Sequence, residues 1–185
     1  KIALVNQPWS IAAPTRGGDS IGIWTYQVAR RLASKAEITI YGAKAGKKRD
    51  YRDYIQENIR YRGINSKIDK LVLPFLQKID RWELSSAKRP AYTYSLYHHN
   101  YFLKIAKELS TQKVDIIHIQ SFFSQLPIFR RLNPQAKIIV HMHSEWLSLM
   151  DAKMVEDCIV HADLIVGCSE FITDKIRQRF PYLAD

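Results

Sequence analysis

Short apolar runs alternate along this chain with longer stretches of helical periodicity. Ile2-Ala3-Leu4-Val5 is the first such run. Ser20 to Ser34 follows as a helix, with Ile21, Trp24, Val28 and Leu32 at helical spacing and Asp19 or Ser20 at the N-cap position. Glu37 to Tyr41 reads as a second strand ending at Gly42, and Ile59 to Ile64 as a third. Lys44 to Asp53 between them is basic and polar and predicts a loose connection. Ser66 to Trp82 and Tyr92 to Leu109 read as helices, interrupted at Pro74 and Pro90. Val114 to Ile119, apolar except for Asp115 and His118, has the pattern of a strand covered on both faces. Ser121 to Arg131 predicts a short helix, Lys137 to Met142 a strand, Met150 to Val160 a helix and Leu164 to Val166 a last strand. Ser169 then caps a helix running to Phe180, where Pro181 ends it.

This alternation predicts parallel βα units, about six strands in an open, doubly wound parallel α/β sheet with helices on both faces. The length fits one domain, residues 1–185. Sheets of this kind bind ligands beyond the carboxyl ends of their strands. That directs attention to Asn6 to Asp19, Gly42, Gln120-Ser121-Phe122, His143-Ser144-Glu145-Trp146 and Cys168-Ser169-Glu170. The first of these carries Gly17-Gly18 and leads into a helix N-terminus, whose unpaired N–H groups suit an anion.

Composition narrows the class. Hydrophobic residues at 46% and charged residues at 25% are those of a soluble globular protein. No apolar run approaches the roughly 20 residues of a membrane span. Lys1 is followed by too short an apolar run for a signal peptide, and a numbering that begins one residue before a strand is expected to lack only its initiator Met. The formal net charge is +10. Lys44, Lys47, Lys48, Arg49 and Arg52 form one basic cluster, and Lys67, Lys70, Lys78, Arg81, Lys88 and Arg89 a more diffuse second one. Such charge attracts phosphates, anionic lipid or nucleic acid, although no recognition helix, RRM motif or zinc finger supports the last. Cys158 and Cys168 match no metal or redox spacing and are expected to be small buried thiols of a reducing cytoplasm. With no HExxH and no Cys/His cluster, no structural metal is expected. The dinucleotide fingerprint, the P-loop and the Gly-x-Ser-x-Gly elbow are all missing, which argues against an oxidoreductase, an NTPase and a serine hydrolase.

Ile138 to Glu145 is the second informative segment. Strand alternation places His141 and His143 on one face, with His143 at the carboxyl end. A histidine there can hydrogen-bond a sugar hydroxyl or a phosphate and exchange protons near neutral pH, or it can simply be a satisfied strand-end residue. His118 lies deeper and reads as a hydrogen-bonded core histidine. His98-His99 falls in the aromatic helix without a role, and His161 reads as a partner of a helix dipole.

Four segments in order resemble the N-terminal half of GT-B glycosyltransferases of family 4, the retaining group-1 type. They are Lys1 to Val5 with Gly17-Gly18 and Ala29-Arg-Arg-Leu-Ala33; Val114 to Gln120; Ile138 to His143; and Ala162-Asp-Leu-Ile-Val-Gly-Cys-Ser169. The likeness covers essentially the whole chain, although residues 43–113 match nothing specific. It implies a Rossmann-like acceptor-side domain facing a nucleotide-sugar domain across a cleft, with metal-independent, configuration-retaining transfer from a UDP- or GDP-linked sugar and no other cofactor. By position it implies that His143 is the active-site histidine, that Gly17 and Gly18 approach the donor diphosphate, and that Asp19, Gln120, Ser144 and Glu145 face the acceptor. His141 stands where the family more often has a small or hydroxyl residue, and takes only a secondary acceptor-side part. The family's paired glutamates have no counterpart here, so the resemblance implies a nucleotide-sugar-binding domain beyond Asp185, without which this part is inactive. It also implies a glycan or lipid-linked acceptor and a cytoplasmic protein, peripheral on the inner face of an anionic membrane, with the two basic regions and Leu71, Leu73, Phe75, Leu76 and Trp82 forming that surface. The alternative is a non-catalytic Rossmann-like module that binds a phosphorylated or anionic partner through the basic face.

Overall fold

The computed structural model describes residues 1–12, 19–44, 53–81 and 88–183. Six parallel strands form the body of one sheet: β1 (Ile2–Val5), β2 (Ile38–Ala43), β4 (Ile59–Ile64), β5 (Ile116–Gln120), β6 (Lys137–Met142) and β7 (Leu164–Gly167). A seventh, β3 (Asp53–Gln56), pairs antiparallel with β4, so the sheet runs β3-β4-β2-β1-β5-β6-β7. The strand order reverses between β1 and β5, and the loops after these two strands part there to leave the crevice of a doubly wound sheet.

The helices are α1 (Ser20–Leu32), α2 (Lys67–Arg81), α3 (His99–Gln112), α4 (Leu126–Leu132), α5 (Trp146–Leu149), α6 (Ala152–Ile159) and α7 (Glu170–Arg179). They divide unequally between the faces. Ala3, Val5, Ile117, Ile119, Ile138, Val140 and Met142 turn to one side and form the main core with α3, α4, α6 and α7. Leu4, Ile38, Ile40, Ile59 and Tyr61 turn to the other and pack with Ala29 of α1 in a smaller core. Along β5 and β6 that second face changes character, because the alternate positions are His118, Gln120 and His141.

Several expectations need correction. Asp53, expected to end a loose connection, instead begins a strand over 53–56 that had not been expected, closed onto β4 by Glu57 and Asn58, both at positive φ (54° and 59°). Such a two-residue turn suits the twist of a hairpin, and only Asn58 favours the left-handed conformation it needs. The helix expected from Tyr92 begins at His99: Ala91–Thr93 is a single 3-10 turn, and His98 sits at φ 56°, which no helix admits. Its first amides are capped from outside. The buried Asp69 carboxylate of α2 accepts from the N–H groups of Asn100 and Tyr101, each at 2.9 Å. The cysteines are not both buried: Cys158 is half-buried, with its thiol pushed up to about 11 by burial, whereas Cys168 is exposed.

Candidate active site

Side chains tie down the described residues on either side of the β1–α1 connection. After β1, the buried Asn6 accepts from Thr25 Oγ1 of α1 at 2.7 Å, and its carbonyl accepts from Tyr101 OH at 3.0 Å. The chain then lies against the end of β2, where Ala43 N–H donates to Ser10 O and Ala12 N–H to Ala43 O. Gly42 makes this approach possible, since a Cβ there would stand 2.6 Å from Ser10 O and 2.7 Å from Ala12 N. Asp19 is the N-cap of α1: its Oδ1 accepts from Gly22 N–H and from Ser10 Oγ, both at 2.9 Å. Gly17 and Gly18 lie outside the described residues.

The centre of the site is a group of rings on β5 and β6 beneath α1. His141 and His143 stand 4.2 Å apart, centroid to centroid, and His118 is 5.5 Å from His141. The indole of Trp24 meets all three edgewise, at 5.7 Å from His118, 4.6 Å from His141 and 5.8 Å from His143. The sequence placed His141 and His143 on one face. Bringing His118 and Trp24 to them required the β5–β6 pairing, in which Gln120 lies opposite His141, and the seating of α1 on that face. Burial disfavours the charged imidazolium, and a neighbouring histidine would add like-charge repulsion. His118 and His141 are both pushed down to about 4, and burial also lowers His143. All three are therefore neutral at physiological pH.

His143 Nε2 lies 2.7 Å from Oε1 of Gln120. With the carboxamide oriented this way the ring donates through Nε2–H, leaving Nδ1 as the nitrogen with a lone pair. Gln120 is fully buried, so its carboxamide reaches the site through His143. Ser144 and Glu145 follow His143 and are half-buried at the start of α5. The hydrogen-bonded core histidine expected at 118 is not found: His118 Nε2 is buried without a partner among the described residues, as are His141 Nδ1 and Gln120 Nε2.

One further group was not anticipated. Trp9, half exposed after β1, packs edgewise on Phe122 at 5.6 Å and on His98 at 5.9 Å. Phe122 in turn faces Trp146 at 6.4 Å, so an aromatic wall runs along the carboxyl-end loops. His98 thus lines this wall rather than the inside of a helix. The only signal in the sequence was the number of aromatic residues near predicted strand ends. Among the described residues there is no group of three or more His, Cys, Asp or Glu side chains that could hold a metal ion, and no helix long and apolar enough to cross a membrane.

Similarity to known proteins agrees with this geometry. Spore coat protein SA of Bacillus subtilis (strain 168) is 25% identical over 183 residues, 98% of this chain and 39% of that protein. Lipopolysaccharide 1,2-N-acetylglucosaminetransferase of Salmonella typhimurium is 28% identical over 149 residues, 77% of this chain and 34% of that protein. The chain thus spans less than two-fifths of the length of these two curated relatives. The family model of Glycosyltransferase Family 4 matches residues 21–185, so this chain, a Rossmann-like half of the GT-B type, belongs to that family.

Proposed function

We propose that this domain forms the acceptor side of a glycosyltransferase that moves a sugar from a UDP- or GDP-linked donor to an acceptor hydroxyl, with retention of configuration and without a metal. The observation that carries this reading is His143, a neutral imidazole held by Gln120 at the carboxyl end of β6. Glycosyl transfer develops positive charge at the anomeric carbon, and an imidazolium beside it would oppose that charge. A neutral ring instead offers a fixed lone pair, at Nδ1, to a hydroxyl of the donor sugar without adding charge. Asp19, Ser144 and Glu145 surround the acceptor in this reading, Trp9 offers an apolar face on which a pyranose ring stacks, and the Gly17-Gly18 amides approach the donor diphosphate. Family membership favours this over a free-standing non-catalytic module.

The basic surface supports peripheral association with an anionic bilayer. Three large apolar side chains of α2 lie in one exposed row, Ile68 (56% exposed), Leu71 (80%) and Phe75 (62%), flanked by Lys67 and Lys78. Leu76 is buried instead, and Trp82, Lys47, Lys48, Arg49 and Arg52 lie outside the described residues.

The test is His143→Ala in the full-length protein, with release of nucleoside diphosphate as the readout. Turnover is expected to fall on the order of a hundredfold while the thermal transition stays close to wild type. Unchanged turnover would remove His143 from the mechanism.

A further inference from the structure

The buried positions of α1 are small, Gly22, Thr25 and Ala29, so the helix lies close over the sheet. Two hydrogen bonds fix its seat on either side of one bulky residue: Ser10 to Asp19 before it, and Thr25 to Asn6 immediately after it. That residue is Trp24. Its indole reaches over β5 and β6 and meets His118, His141 and His143 edgewise, closest to His141 at 4.6 Å. His141 is left 4% exposed between the indole and the two other imidazoles.

Excluding water from these rings has a chemical consequence, because an imidazolium donates from both of its nitrogens. His118 Nε2 and His141 Nδ1 are buried without an acceptor among the described residues, so protonation there would leave a cationic N–H unsatisfied in the interior. The charged residues on the surrounding elements are Asp19, Arg30 and Arg31 at the ends of α1, Asp115 before β5, Lys137 at the start of β6 and Glu145 beyond its end. None of them shifts the rings: burial lowers all three, and neighbouring histidines add to it at His118 and His141.

We propose that Trp24 is a positioning residue for the sugar transfer, acting through His143: its indole seals the imidazole face of β5 and β6 from water and so keeps protons off the histidine beside the donor sugar and the two behind it. This rests on the reading of His143 given above, but the seal itself can be tested without turnover. Without the indole, water reaches the rings and solvates their charged form. A proton on His143 removes the lone pair of Nδ1, and a proton on His141, whose ring is 4.2 Å away, opposes the positive charge that develops at the anomeric carbon.

The experiment follows the histidine Cε1–H signals of the chain by NMR between about pH 4 and about pH 8, assigned by single histidine replacements. In the wild type the signals of His118 and His141 are expected to keep their neutral positions down to about pH 5. In Trp24→Ala at least one of the three rings is expected to titrate about one pH unit or more higher, and in Trp24→Phe, which restores an aromatic cover, none. Turnover of the full-length protein is the second readout. The acidic limb of its pH–rate profile is expected to move upward in Trp24→Ala, with a several-fold loss at about pH 6 that is regained at about pH 8. Trp24→Leu, which keeps an apolar contact should alanine fail to fold, is expected to shift both readouts in the same direction by less. Wild-type signals of His118 and His141 titrating near 6.5, unchanged signals in both Trp24→Ala and Trp24→Leu, or a loss of turnover equal at every pH would overturn the proposal and leave the indole as packing alone. Failure of the transferase reading is distinct: it shows as unchanged turnover in His143→Ala, whatever the titration of the rings.

Discussion

Gln120 is the residue on which the orientation of His143 depends. Its Oε1 is the only hydrogen-bond partner that the ring has among the described residues, and its own Nε2 is already buried and unpaired. Replacing it by Leu keeps the volume, removes an unsatisfied donor and frees the imidazole to rotate. Gln120→Leu is therefore expected to lower kcat about tenfold or more with little loss of stability. Gln120→Glu should restore orientation while raising the His143 pKa, which moves the acidic limb of the pH–rate profile upward. An unchanged kcat in Gln120→Leu would refute the positioning role. The other two histidines make a prediction about stability. His118 and His141 titrate near 4 in the fold against 6.5 in the unfolded chain. Their folded pKa values are depressed by burial, so at intermediate pH the unfolded chain binds protons that the native state refuses. Stability is unaffected by them above about pH 6.5 and falls as pH drops toward 4, by at most about 1.4 kcal/mol per pH unit for each histidine. Urea unfolding at about pH 7.5 and about pH 5 measures this, and a smaller drop in His118→Leu would attribute it to the cluster.

Among elements, α3 shows how parts distant in sequence fix one another. Its N-terminus has no cap of its own, since His98 is left-handed and makes no capping bond. Asp69 on α2 supplies both oxygens, so the two helices are joined end to flank. Asp69→Ala leaves two amides without that acceptor and is expected to cost about 1–3 kcal/mol, read from the urea midpoint, with Asp69→Asn intermediate. A loss below a few tenths would mean that water satisfies the amides equally well. On the other side, Glu108 of α3 accepts a bidentate pair from Arg62 of β4 and a bond from Tyr41 OH at 3.1 Å. Burial and the adjacent Glu108 carboxylate hold the Tyr41 hydroxyl protonated. Two strand segments were legible from the sequence: Ile59 to Ile64, where Arg60 and Arg62 alternate with apolar residues, and Lys137 to Met142, where Ile138 to Val140 are a short apolar run, form strands over those same residues. The β3 hairpin and the late start of α3 were not, because Glu57 carries no local preference for positive φ and the modest one of His98 is not decisive inside a helix-like pattern.

At the scale of the molecule, charge and apolar exposure coincide. The sequence carries +10 overall, and the exposed row on α2 lies on the same helix as Lys67, Lys70 and Lys78. Leu71→Ser/Phe75→Ser is expected to reduce co-sedimentation with anionic vesicles several-fold while leaving the fold intact, since both side chains are exposed already. Sedimentation that shows no preference for anionic over neutral lipid would remove the membrane from the account.

The parallel strands, the alternation that turns His141 and His143 to one face, a helix cap at Asp19 or Ser20 and the likeness to the transferase family were readable along the chain, because hydrophobic periodicity and capping are local properties. Lateral strand order is not local: it follows from long-range contacts that no window of sequence contains. Only the folded chain set β5 beside β6, brought Gln120 within 2.7 Å of His143 and laid Trp24 across the three rings. The neutrality of those rings, on which the proposed chemistry depends, follows from that burial, and burial is a property of the packed sheet rather than of any segment within it.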